Sequence, residues 1–239
     1  MNLKKILVIA FLFLFTVPMQ CLAYEPILLN YRAVYEVSDP LVAREYYSRL
    51  GAGPMRFRLV YEEPGDLDVT ILIPDIPDAA KNVTGLLKYV DENGERQDLE
   101  LSAKEDEWSY YRDDFSGNAY YLGPEAHVKV ASGTHLLVVE SRPDNEKPFV
   151  LKLGSEEDSS IEAKFRTMIE MGKVKNDVYS EFPLLAYNNF YGILLLIPFV
   201  LVVGLVVYLA IKTYLRIKKA DEEEERKSEQ ASVNESENG

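Results

Sequence analysis

Gly133-Thr134-His135-Leu136-Leu137-Val138-Val139-Glu140, the turn-rich Arg142-Pro143-Asp144-Asn145-Glu146, then Pro148-Phe149-Val150-Leu151-Lys152-Leu153 is the stretch whose reading decides the fold. Both apolar runs are short and rich in β-branched and aromatic residues, which marks them as strands. In the second, Phe149, Leu151 and Leu153 alternate with Val150 and Lys152. A lysine is rarely buried unpaired, so Phe149, Leu151 and Leu153 are assigned to the core face. Leu137 and Val139 take one face of the first strand, and Leu136 and Val138 the other. Pro143 with Asp144 or Asn145 suits a turn. The spacing predicts an antiparallel hairpin from Gly133 to Leu153, with Lys152 a surface position whose truncation costs no more than about 0.5 kcal/mol.

Alternation continues upstream. Met55, Phe57, Leu59 and Tyr61 recur at period two, as do Leu67, Val69, Ile71 and Ile73, and Ala126, Val128 and Val130. Turn clusters lie between and around these runs at Gly51–Pro54, Glu63–Asp66, Glu92–Gly94 and Ser116–Asn118. Short strands with frequent turns predict a mainly β fold, an antiparallel β-sandwich of jelly-roll type. One segment changes period. Ile161, Phe165, Met168 and Ile169 recur at helical spacing after Ser159 or Ser160, and Gly172 is read as the stop, giving an amphipathic helix over 159–171.

The run from Ala131 to Glu140, the Pro-Asp-Asn turn and Pro148 to Leu153 resemble the last hairpin of bacterial pre-peptidase C-terminal domains. These end in a Gly-Thr-Tyr-like strand, a turn and a Tyr-x-Leu-like strand. Arg56 to Val60, after a Gly-Pro turn, is similar to their early strand. The resemblance implies a jelly-roll sandwich, related in shape to CUB domains, of a kind that is usually a non-catalytic appendage of secreted enzymes. It departs from that family in carrying no protease domain and in being followed by a helix and a membrane segment. That layout resembles prokaryotic single-pass surface proteins.

The termini predict a membrane protein. Lys4 and Lys5 precede an apolar run from Ile6 to Val17 and the exit Pro18-Met19-Gln20-Cys21-Leu22-Ala23, the pattern of a signal peptide cleaved after Ala23. Lipidation of Cys21 is the rival, but Gln20 stands where a lipoprotein signal has a small residue. Tyr191 to Ile211 holds no charge and reaches about 30 Å as a helix, enough to span a bilayer. Lys212, Arg216, Lys218 and Lys219 follow at once, which places the C-terminus in the cytoplasm and the sandwich outside the cell membrane. The organisation read from sequence is a signal peptide 1–23, a sandwich 24–157, a helix and linker 158–190, a transmembrane helix 191–211 and a charged, disordered tail 212–239.

Among 239 residues with a formal net charge of −13 there is one cysteine, Cys21. The acidity argues against nucleic-acid partners, and the missing cysteines remove thiolate chemistry from the outer domain. Only His127 and His135 are histidines, and no nucleophile-elbow, zinc-protease or phosphate-loop pattern is present. The chain reads as a non-enzymatic binding module held in membrane lipid by one helix, with a protein or glycan ligand. An accessory subunit of a membrane complex is the alternative, and a hydrolase with an unrecognised site a lesser one. Asp75, Asp78, Asp113 and Asp114 lie in two acidic loops and are the calcium candidates. Trp108, Tyr110, Tyr111, Phe115, Tyr120 and Tyr121 form an aromatic cluster suited either to ligand stacking or to packing. Asn82-Val83-Thr84 is a glycosylation sequon.

Overall fold

A computed structural model describes residues 24–30, 32–51, 53–77, 79–113, 116–141, 147–156, 161–187 and 200–219, with backbone alone at 161, 162, 164 and 165. It divides into two compact units, one ending at Asn189 and one beginning at Phe190.

The strands of the first unit are β1 (Glu25–Leu28), β2 (Val34–Val37), β3 (Arg44–Arg49), β4 (Met55–Tyr61), β5 (Gly65–Pro74), β6 (Val83–Val90), β7 (Arg96–Leu101), β8 (Ser109–Arg112), β9 (Ala119–Val130), β10 (Gly133–Ser141) and β11 (Pro148–Leu153). They form a six-stranded sheet, β1-β3-β11-β5-β9-β8, and a five-stranded sheet, β2-β4-β10-β6-β7. The sandwich expected from alternation is present. Its interior pairings are antiparallel, while the edge strands β1 and β2 join in parallel, to β3 and β4 respectively.

The Gly133–Leu153 hairpin is not formed. β10 pairs with β4 and β6, and β11 with β3 and β5, so the two strands belong to different sheets. The face assignment holds nonetheless. Leu137, Val139, Phe149, Leu151 and Leu153 all enter one core, meeting from opposite sheets instead of side by side. Period-two alternation reports only which face is buried, and a strand pair and a sheet-to-sheet crossover satisfy it equally. The linker of six residues between Ser141 and Pro148 also exceeds a tight two-residue turn. The turns that do close hairpins are Glu92–Gly94, with Gly94 at φ +84°, and Ser116–Asn118, with Gly117 at φ +67°.

The core between the sheets contains Phe57, Leu59, Leu67, Ile71, Leu87, Leu137 and Leu151, each fully buried. Burying one such side chain is worth about 1.5–3 kcal/mol. In β9 the pairing slips by one residue between Thr70 and Leu72 of β5, a bulge centred near Gly123. Before the slip Tyr120 and Leu122 face away from this core; after it Ala126, Val128 and Val130 face into it. Trp108 lies against Gly123, where an added Cβ would fall 2.2 Å from the indole.

Helix α1, Ile161–Asp177, covers the outer face of the six-stranded sheet. It runs through Gly172 rather than stopping there, and Gly172 is not among the glycines that take the positive φ of a helix stop. Its described buried residues are Ala163, Thr167, Met171, Gly172, Val174 and Lys175, while Ile169 is exposed, so the packing stripe is rotated from the one read in sequence. Met171 and Val174 join Tyr47, Leu72, Tyr120, Val150 and Ala186 in a second core.

In the second unit a helix runs from Val200 to Lys219, long and apolar enough to cross a membrane by length and composition. It continues past Ile211 through the basic residues to Lys219. Residues 191–199 of the expected span, the signal peptide and the tail lie outside the described residues.

Candidate functional site

Where the two parallel edge strands lie, the sandwich opens. A cleft of about 700 Å³ is lined by β1, β2, β3, the segments beside them and one residue of α1. Alternation on the short edge strands sets its composition. Ile27, Val37 and Tyr46 give apolar walls, while Glu25, Arg44, Asp39, Glu156 and Arg166 give charged ones. Glu25 accepts from Arg166 Nε at 2.7 Å and stands 3.4 Å from Arg44 Nε; Arg44 Nη1 donates to the Asp39 carbonyl at 3.0 Å. The guanidiniums are therefore held in place by the protein itself.

Tyr35 on β2 is the unusual member. Its ring stacks on Phe57 with centroids 5.8 Å apart. Its hydroxyl is shielded from solvent and has no hydrogen-bond partner among the described residues. Burial pushes this phenol above its ordinary pKa, with Arg32 opposing, so it stays protonated as a donor at neutral pH. A buried polar group without a partner costs about 1–3 kcal/mol and calls for an explanation.

A second polar group lies under α1. The Tyr47 hydroxyl donates to Glu45 Oε2 at 2.5 Å and meets the Tyr120 hydroxyl at 2.5 Å, to which Asn118 Nδ2 donates at 3.1 Å. Lys152 reaches Glu45 Oε1 at 3.4 Å and lies 4.1 Å from the Tyr24 ring centroid. The surface assignment of Lys152 is thus corrected: its side chain is 17% exposed and it is the counter-charge of a buried glutamate. Burial raises the Glu45 carboxyl above its ordinary pKa, opposed by Lys152 and the Tyr47 hydrogen bond. Burial, then the neighbouring Glu45 charge, raises the Tyr47 and Tyr120 phenols well above theirs. This cluster is a structural network joining three strands.

The acidic loops flank the start of β9. Asp75 N donates to the Ala119 carbonyl and Asp113 N to that of Asn118, both at 2.9 Å, so the two residues sit at one end of the sheet on either side of β9. Asp113 already closes its own loop, accepting from Ser116 N at 2.6 Å. Asp75 raises the pKa of the neighbouring Tyr121 phenol by its charge. Asp78 and Asp114 lie outside the described residues. Among the described residues no group of three or more His, Cys, Asp or Glu is placed to hold a metal.

The remaining sequence candidates have structural roles. His135 accepts from Val90 N at 3.2 Å, pairs with the Ala131 carbonyl at 2.9 Å and packs edge-on against Tyr61. His127 is an exposed partner of Asp68. Trp108 is core, Tyr111 stacks on Tyr120, and Tyr110 meets Tyr121 edge-on. Phe115 lies outside the described residues. Tyr35, Arg44 and Arg166 were not read from sequence. They carry no motif, and Arg166 is over 120 positions from the other two.

No family model matches the chain, and no curated protein does. Among solved structures the chain is similar to the pre-peptidase C-terminal domain of collagenase from Bacillus anthracis, at 12% identity and a TM-score of 0.30, over 53% of this chain and 97% of that one. It is also similar to a β-glucosidase from Paenibacillus barengoltzii, at 10% identity and a TM-score of 0.24, over 57% of this chain and 14% of that one. The first of these belongs to the family that the Gly133–Leu153 residues resemble.

Proposed function

We propose that this chain is a non-enzymatic binding module, held in a cell membrane by its C-terminal helix with the sandwich outside the cytoplasm, and that the cleft between β1 and β2 takes an extended protein segment. The observation that carries the binding role is the Tyr35 hydroxyl, a buried donor without a partner among the described residues, on a residue that lines the cleft of about 700 Å³. Two edge strands flank that cleft, and an added strand is the occupant such edges favour. The lining carboxylates Glu25, Glu36, Asp39 and Glu156 outnumber Arg44 and Arg166, so the segment preferred is basic with an apolar residue for the wall. Anchoring is supported by the Val200–Lys219 helix, whose apolar side chains are uncovered, and by the cluster Lys212, Arg216, Lys218 and Lys219.

Tyr35→Phe tests the cleft cleanly, because it removes a hydroxyl with no described partner. The full chain in mild detergent is panned against displayed peptides and a glycan array. The variant should melt no lower than the wild type, yet lose roughly tenfold in peptide affinity, the value of about one hydrogen bond. Equal binding by both proteins would remove the cleft as the site. Glycan capture sensitive to Tyr35→Phe would replace the peptide with a sugar. A co-purifying integral membrane protein with no ligand of either kind would favour the accessory-subunit reading.

A further inference from the structure

A short 3₁₀ turn, Pro183–Tyr187, follows α1. It is fastened to the domain from both sides. Ala186 is buried in the second core, Glu181 Oε2 accepts from the buried Lys175 Nζ at 2.8 Å, and Tyr179 donates to the Ala119 carbonyl at 3.1 Å. Ser180 takes a left-handed backbone, φ +55°, to turn the chain into this segment. Yet the turn and the residue before it present Phe182 at 66%, Leu184 at 60% and Leu185 at 42% exposure. Three large apolar side chains within four positions, on a segment otherwise secured, make a patch that water alone does not explain.

The sequence says what covers it. Tyr191 opens the uncharged run read as the membrane span, and it lies only six positions after Leu185. At most about 3.6 Å per residue, that chain reaches roughly 20 Å. If the run enters the bilayer at Tyr191, Leu185 is never farther from the membrane surface than that. Docking here draws on apolar area and not on attraction to anionic headgroups, since the chain is strongly acidic, and the carboxylate of Glu181, next to Phe182, is paired with Lys175. From these observations we infer that Phe182, Leu184 and Leu185 form a lipid-docking foot, which dips into the outer interface of the bilayer and holds the sandwich against the membrane. The inference rests on the membrane-anchored reading of the chain.

The test uses the full chain with Cys21→Ser, reconstituted in vesicles of phosphatidylcholine with one-fifth phosphatidylglycerol. Single cysteines are placed at Leu184, at Val203 in the C-terminal helix and at Glu95 in the β6–β7 turn. Each carries a nitroxide whose collisions with oxygen, enriched in lipid, and with a nickel chelate, confined to water, are compared. Lipid-like values at both Val203 and Leu184, with aqueous values at Glu95, are expected. A lipid-like Val203 with an aqueous Leu184 overturns the foot and leaves the anchor standing. Low collision rates with both reagents at Leu184 overturn it in favour of a protein cover. An aqueous Val203 overturns anchor and foot together. Phe182→Cys, labelled in the same way, guards against a local effect of the Leu184 probe.

Discussion

The six-stranded sheet has two buried faces of opposite chemistry. Its inner face, with Tyr46, Ile71, Phe149 and Leu151, packs on the five-stranded sheet as an almost wholly apolar layer. Its outer face, under α1, mixes Leu72 and Val150 with Glu45, Tyr47, Tyr120, Asn118 and Lys152. The inner face gains from area removed from water and is indifferent to pH. The outer face gains only while each polar group keeps its partner, and loses when one is withdrawn. Neighbouring residues of one strand thus answer to different rules: Leu151 to packing, Lys152 to electrostatics.

The largest effect should come from the inner face. Leu151→Ala leaves a cavity in a fully buried layer and should lower stability by about 2–5 kcal/mol in thermal or denaturant melts of the full chain in detergent. A loss below about 1 kcal/mol would break the distinction at its strong end. Lys152→Met comes next, at about 1–3 kcal/mol, because it strands the Glu45 carboxylate beneath α1. Adding Glu45→Gln should recover most of that loss, and a double variant as weak as the single one would show that Lys152 contributes by packing alone.

The pH dependence sharpens the comparison further. Glu45 has a folded pKa raised above its unfolded value, so its contribution is full below the ordinary glutamate range and is lost as pH rises through the raised value. Glu45→Gln should flatten the stability profile across that window, and Lys152→Met alone should extend the falling limb to higher pH. Identical profiles for all three proteins would mean that the carboxylate is not buried. At the weak end, Lys88→Ala breaks an exposed cross-strand pair with Asp98 and should change stability by no more than about 0.5 kcal/mol. Calcium tests the acidic loops, where Asp113 already accepts from Ser116 N: a melting midpoint equal in calcium and in chelator would remove the site. A rise approaching 2.7 kcal/mol at a hundredfold excess over the dissociation constant would instead unite Asp75, Asp78, Asp113 and Asp114 in one site.

The two faces also differ in how readable they were. β4, β5 and the ends of β9 and β11 alternate because one of their faces is polar or exposed, and their core residues follow from that period. β3 escaped notice because Glu45, Tyr46 and Tyr47 are all buried, two outward and one inward, and the stretch looks merely polar and aromatic. Lys152 was placed at the surface because its counter-charge lies over a hundred residues away. Pairing was less legible than facing: the chain passes between sheets at several of its turns, Gly51–Pro54, Glu62–Pro64 and Ala131-Ser132 among them, and turn residues do not distinguish a crossover from a hairpin. Tyr35 was invisible for a further reason. An unpaired hydroxyl is a property of its surroundings, and nothing at its own position signals it.

Topology is the most direct test of the central claim that this sandwich is a module displayed at the membrane. Spheroplasts expressing the chain with an epitope tag after Gly239 are treated with protease from outside. The account predicts that the region from 24 to 190 is degraded while a tagged fragment carrying the Val200–Lys219 helix survives until detergent is added. Loss of the tag with the membrane intact, or survival of the sandwich, would contradict it.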